Sequence, residues 1–204
     1  MLAIGDKSSL LSGQSLRTEP MPMSIDRLKE RLPDYAKDLR VNLGVITSST
    51  MLTAQQAWGT ALAAAVTARN AEVVAAVAAD AKLSPDAAAA ARNAAAVMSM
   101  NNIYYRFQHM MGEGSPYDHL PARLRILNFS KPGVGPVDFE LWCLAASVIN
   151  GSEKCVRDHE NTLRERGGTP EQVQDVVRIA AVIHAVAVTL DSTPVLSVGS
   201  VTSS

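Results

Sequence analysis

Two stretches of this chain carry strong helix-start signals, and they stand 85 residues apart. Ser84-Pro85-Asp86 offers a capping serine, a proline at the first helical position and an acid near the positive end of the helix. Thr169-Pro170-Glu171-Gln172 repeats the pattern and adds a capping box. Other short matches recur at nearly the same spacing. Gln56-Ala57-Trp58 resembles Glu140-Leu141-Trp142, 84 residues on, and Ala95-Ala96-Val97 resembles Ala180-Ala181-Val182. The pattern predicts an all-α fold built from two pseudo-repeated halves that pack on each other. Short matches in an alanine-rich chain also arise by coincidence; the paired helix starts weigh towards duplication.

The remaining punctuation is helical too. Aromatic residues make up 4% of the chain, and the alternation of a half-buried strand is scarce. Ser24 caps a predicted helix that contains Leu28 and Leu32 and stops at Pro33. A second helix is expected over Tyr35 to Ile46. Thr53 and Gln56 form a capping box for a helix through Trp58 to Arg69, and Asn70 to Ala81 reads as the next. The helix from Pro85 should reach Tyr105 or beyond. Gly112 to Pro116 and Pro132 to Pro136 are expected loops. Asp138 is the expected cap for a helix over Phe139 to Ile149, closed by Asn150-Gly151. Helices from Ser152 to Arg166 and from Pro170 to Leu190 complete the set.

At 204 residues, 47% hydrophobic and 19% charged, the chain can bury one substantial core or two halves sharing one. Residues 1–22 are expected to be a flexible extension without a signal-peptide pattern, 23–190 the helical domain, and 191–204 a flexible tail. A net charge of −1, with no basic stripe, points away from nucleic acid. The apolar runs Ala61 to Val66 and Ile179 to Leu190 are too short and too mixed to span a bilayer. Two cysteines, Cys143 and Cys155, do not make a secreted disulfide scaffold. A reducing, cytoplasmic location is the expectation.

The chemistry concentrates between Phe139 and His159. Cys155 and His159 are four residues apart and share one face of a helix. Ser152 shares that face and sits in the first turn. A sulfur near a helix N-terminus feels the positive end of the dipole, and a histidine within reach can take its proton. If the helices on either side of Asn150-Gly151 pack antiparallel, Glu140 comes to the level of His159 and can orient the imidazole. Blander readings exist: a small buried cysteine, a surface histidine among Arg157, Asp158 and Glu160, and an acid in a first turn. Zinc would need a second ligand pair, and none stands at metal spacing. His109, His119 and His184 are isolated in sequence. Cys143 reads as a buried small residue and Lys154 as solvent-facing.

These residues match a known pattern. The chain resembles the alkyl hydroperoxidase D family, within the carboxymuconolactone decarboxylase-like superfamily, over Met23 to Leu190. The resemblance is carried by Met23-Ser24-Ile25, Leu32-Pro33-Asp34-Tyr35-Ala36-Lys37-Asp38, Trp58-Gly59-Thr60, Met100-Asn101-Asn102 and Phe139-Glu140-Leu141-Trp142. The family signature is a glutamate, eleven residues, a CxxC pair, three residues and a histidine. Glu140, Ser152, Cys155 and His159 fall on that spacing without a gap. The resemblance implies a homotrimer active in peroxide defence, with no bound cofactor. It implies alkyl hydroperoxide as substrate, dihydrolipoamide as reductant, and as partners an AhpC-type peroxiredoxin and the lipoyl domain of a 2-oxoacid dehydrogenase complex. By that resemblance Cys155 is the peroxidatic cysteine, and His159 and Glu140 are its proton relay. Position 152 normally holds the resolving cysteine.

Ser152 departs from the pattern. A hydroxyl forms no disulfide, so a Cys155 sulfenic acid would have no neighbour to condense with. The serine is then an introduced replacement, a natural one served by an external thiol, or the mark of a lost peroxidase. Two other functions remain open: Cys155, His159 and Glu140 moving protons on a small carboxylated lactone without redox chemistry, or a non-catalytic trimeric binding module.

Overall fold

The computed structural model describes residues 23–126 and 132–198, with side chains characterised as far as Thr193. Short helices α1 (Ile25–Arg31), α2 (Asp38–Asn42) and α3 (Val45–Ser48) precede two longer series. The first is α4 (Ala54–Ala68), α5 (Ala71–Asp80) and α6 (Pro85–Met111); the second is α7 (Pro136–Ile149), α8 (Glu153–Glu165) and α9 (Pro170–Val198). The described residues contain helices and no strands, as an all-α fold requires. Expected residues 1–22 and 199–204 lie outside them.

Local chemistry starts these helices where the sequence suggests. Ser24 Oγ accepts from Arg27 N, Asn70 Oδ1 from Val73 N, and Ser84 Oγ from Ala87 N. Thr53 and Gln56 close a reciprocal capping box, and so do Thr169 and Gln172. Each such cap contributes about 1 kcal/mol.

Three expectations need correction. The single helix over Tyr35 to Ile46 is a 3₁₀ turn at Asp34–Ala36 followed by α2 and α3, which are separated at Leu43 and Gly44. Asp138 is not a cap: Gly135 holds that position, Pro136 opens α7, and the Asp138 carboxylate instead accepts from Gln55 Nε2 and Gln56 Nε2 at 2.7 and 2.8 Å. The last helix continues past Leu190 to Val198. Asp191 there accepts from Asn70 Nδ2 at 2.7 Å, and Ser192 and Thr193 bond back to Thr189 O.

The core forms around α4 and α7. Both are buried on nearly every side, the pattern of a helix enclosed by others. They pack on each other and on α6 and α9, and α8 closes against α7 and α6. Small residues allow the closest approach. Gly59 on α4 lies under the Trp142 ring of α7, and the indole Nε1 donates to Gln56 O at 3.2 Å. By length and composition, Pro170–Thr193 of α9 is able to cross a membrane, at mean hydropathy 1.7. The expected run, Ile179 to Leu190, is thus too narrow a bound for the apolar part of α9. Its Val176, Ile179, Ala180, Ile183, Val186, Ala187 and Leu190 face the core, the behaviour of a central helix.

Candidate functional site

α8 is the most amphipathic element of the fold. Its buried residues are Cys155, His159 and Leu163, spaced four apart, with Ser152 one step before the helix. The side chains singled out from the sequence therefore form the inner face of one helix. Gly151 turns the chain into it at a φ of 63°, a left-handed angle that glycine adopts without strain. Ser152 N donates to Ser147 O at 3.1 Å, which ties the turn to the end of α7.

Cys155 is the third residue of α8 and is 6% exposed. It stands in the first turn, where the partial positive charge of the helix is felt. His159 lies one turn on. Its Nδ1 is 2.7 Å from Glu140 Oε2, although 19 residues separate the two in sequence. The antiparallel return of α8 along α7 thus brings Glu140 and His159 together. The pair is almost fully buried. Breaking such a pair would strand a charge in the core, at a cost of about 3–5 kcal/mol.

Two partners of this pair were not visible in the sequence. Arg166 Nη1 lies 3.4 Å from Glu140 Oε1 and 3.3 Å from Pro136 O, so the carboxylate has a cation on one oxygen and the imidazole on the other. Met98 Sδ on α6 lies 3.1 Å from His159 Nε2. A thioether only accepts, so each ring nitrogen faces an acceptor. The thiol itself makes no hydrogen bond among the described residues. It opens instead into a cavity of about 180 Å³ lined by Met98, Asn101, Tyr105, Cys155, Asp158 and His159. Asp158 also borders a larger cleft of about 660 Å³ between the end of α6 and the outer face of α8.

Ser152 is fully buried and holds the N-cap position of α8, yet its hydroxyl takes no cap bond and has no partner. Lys154 faces solvent as expected, paired with Asp158 at 3.0 Å and 6.0 Å above the Tyr105 ring. His109 is not isolated: it lies 3.5 Å from Glu153, in a pair exposed enough to add little to stability. His119 and His184 are exposed. No group of three His, Cys, Asp or Glu side chains suited to a metal occurs among the described residues.

Cys143 is fully buried on α7. Burial pushes its thiol well above the usual range, and the Glu140 carboxylate adds to the push. The folded chain thus keeps this thiol neutral where the unfolded chain would ionise it. This stabilisation is complete below the free-thiol pKa and is lost as pH rises from there through the raised pKa of the folded thiol. Iodoacetamide at pH 8 should therefore modify Cys155 in the native protein and both cysteines after unfolding. Native labelling of Cys143 at a comparable rate, read by peptide mass, would contradict its placement.

In an all-helical frame, a cysteine in the first turn of a helix thus lines a cavity beside a buried Glu–His pair. Comparison with known proteins gives the family. Residues 115–197 match the model of the carboxymuconolactone decarboxylase family. Over 176 residues the chain is 54% identical to alkyl hydroperoxide reductase AhpD of Gluconacetobacter diazotrophicus, covering 85% of this chain and 96% of that protein. It is 51% identical to the protein of that name from Rhodospirillum centenum, over 86% and 95% of the two chains. Against that of Streptomyces coelicolor the identity is 48%, over 86% and 99%. The chain belongs to the alkyl hydroperoxide reductase AhpD family.

Proposed function

We propose that this chain is an antioxidant peroxidase that reduces alkyl hydroperoxides at Cys155. The observation that carries the reading is the buried Glu140–His159 pair at 2.7 Å, one helical turn from a cysteine that opens into a cavity. His159 accepts the thiol proton and Glu140 balances the charge that results. The thiolate attacks the terminal oxygen of the hydroperoxide. An S–O bond forms, the O–O bond breaks, and the leaving alkoxide takes the proton back from His159. The products are the Cys155 sulfenic acid and an alcohol.

Ser152 cannot resolve that sulfenic acid, so an external thiol must. A dithiol such as dihydrolipoamide completes the cycle by itself. Its first sulfur displaces water to form a mixed disulfide with Cys155, and its second displaces Cys155 to form the cyclic disulfide. A lipoyl domain of a 2-oxoacid dehydrogenase complex would present this reductant, an AhpC-type peroxiredoxin would be the partner in hydroperoxide reduction, and the working assembly would be a homotrimer. The relatives' name supports the reaction; the site geometry supports the nucleophile.

The test is the intact mass after one equivalent of hydroperoxide. We expect the gain of one oxygen, located on Cys155 and absent from Cys155→Ala. An unchanged mass from a folded protein would refute the reading. Turnover of a carboxylated lactone that survives alkylation of Cys155 would favour proton-transfer chemistry in its place.

A further inference from the structure

Asn101 and Asn102 are neighbours on α6 and are used in opposite ways. Asn102, 1% exposed, spends both ends of its carboxamide inside the protein: it donates to Ser147 Oγ at 3.0 Å and accepts from Asn150 Nδ2 at 2.9 Å. Arg106, one turn on, donates to Asn150 O at 2.8 Å. Together these bonds latch α6 to the turn between α7 and α8. Asn101 is only 9% exposed, yet its carboxamide makes no hydrogen bond among the described residues. The carboxamide is not sealed in the core as the Ser152 hydroxyl is; its polar atoms are open to the space beside them.

That space is the cavity beside Cys155. Met98, Asn101 and Tyr105 are spaced three and four apart, so they form one stripe of α6, and that stripe is the wall opposite Cys155 and His159. Two of the other polar groups there are occupied. His159 holds Glu140 and Met98, and Asp158 holds Lys154. Asp158 is moreover an anion, unsuited to a leaving alkoxide. The Tyr105 ring packs edge-on against Tyr104 under Lys154; its hydroxyl makes no hydrogen bond among the described residues, but it belongs to a less buried side chain than Asn101. Asn101 brings two N–H donors with no other partner to hold.

We propose that Asn101 is a catalytic residue: its Nδ2–H group holds a compact alkyl hydroperoxide in the cavity by donating to the oxygen that leaves. This rests on the reading of Cys155 as the peroxide-attacking thiolate. As the sulfur bonds to the terminal oxygen and the O–O bond breaks, negative charge grows on the oxygen bearing the alkyl group. A fixed donor aimed at that oxygen stabilises the transition state more than the bound substrate. His159 then protonates the alkoxide to the alcohol, and Asn101 is unchanged.

The test compares two rates at Cys155 in the full chain: oxidation by tert-butyl hydroperoxide and alkylation by iodoacetamide. Only the first needs a held peroxide. Asn101→Leu keeps the volume and removes the donors, and Asn101→Ala opens space that water can enter. Both residues are good helix formers, and the alanine variant carries the test if the leucine variant misfolds. We expect Asn101→Leu to slow oxidation on the order of 10²-fold, Asn101→Ala to slow it less, and alkylation to stay at the parental rate in both. Parental oxidation rates in the variants overturn the role of Asn101 and leave the peroxidase reading standing. Equal slowing of both rates also overturns it, because Asn101 would then act on the thiol alone. A parental chain whose Cys155 is alkylated but never oxidised overturns both.

Discussion

Ser152→Cys is expected to turn a stalled sulfenic acid into a disulfide with Cys155. The two positions are the N-cap and third residue of α8. Residues three apart on a helix have Cα atoms about 5 Å apart, inside the range a disulfide spans. A thiol held there acts at an effective concentration far above that of any millimolar external thiol. Resolution should quicken by roughly 10³-fold or more. Intact mass reads the outcome directly: one oxygen gained by the parent after peroxide, two hydrogens lost by the variant. The substitution should also not weaken the fold. The Ser152 hydroxyl is buried without a partner, a condition that costs about 1–3 kcal/mol, and a thiol asks less of its surroundings. A variant that gains oxygen like the parent, with no disulfide, would show that position 152 does not face the reactive sulfur.

The second large effect concerns the frame. A Cβ added at Gly59 would lie 2.1 Å from Trp142 Cε2 and 2.2 Å from Cζ2. The ring cannot simply turn away. It is fully buried and its Nε1 is bonded to Gln56 O. Gly59→Ala therefore requires α4 and α7 to separate or the indole to leave its rotamer. Either response costs about 3 kcal/mol, the upper part of the overpacking range. For a chain of this size, that corresponds to roughly 6–12 °C in thermal midpoint. The cost should shrink in a Trp142→Phe background, where the clashing atoms are gone. A midpoint within a degree or two of the parent would mean that the two helices do not meet at Gly59.

Most of the fold was legible because helix starts are written locally. Ser24, Thr53 with Gln56, Ser84-Pro85 and Thr169 with Gln172 each bond within three residues of themselves. The Glu140–His159 contact was legible for a related reason: one tight turn joins two helices of similar length, so the register follows by counting. Where a side chain had a distant alternative, local reading failed. Asp138 has the chemistry of a cap but lies inside the first turn of α7, with Gly135 at the cap, and its carboxylate bonds to Gln55 and Gln56 on α4. Met98 meets His159 across 61 residues, and Asn102 meets Ser147 across 45. Neither spacing leaves a periodic trace. Asn101 and Asn102 were visible only as part of a resemblance; that one is bonded and the other free follows from which face of α6 each occupies.

α6 carries both the Asn102 latch and the wall made by Met98, Asn101 and Tyr105. The latch fastens that helix to the turn from which α8 springs, so the wall and the cysteine are tied to one another. A cleft whose two sides are free to part adapts to what enters it. A slot cut in a single piece rejects what does not fit. The width of this slot follows how far apart the latch holds α6 and α8, so hydroperoxides of different bulk are expected to oxidise Cys155 at different rates.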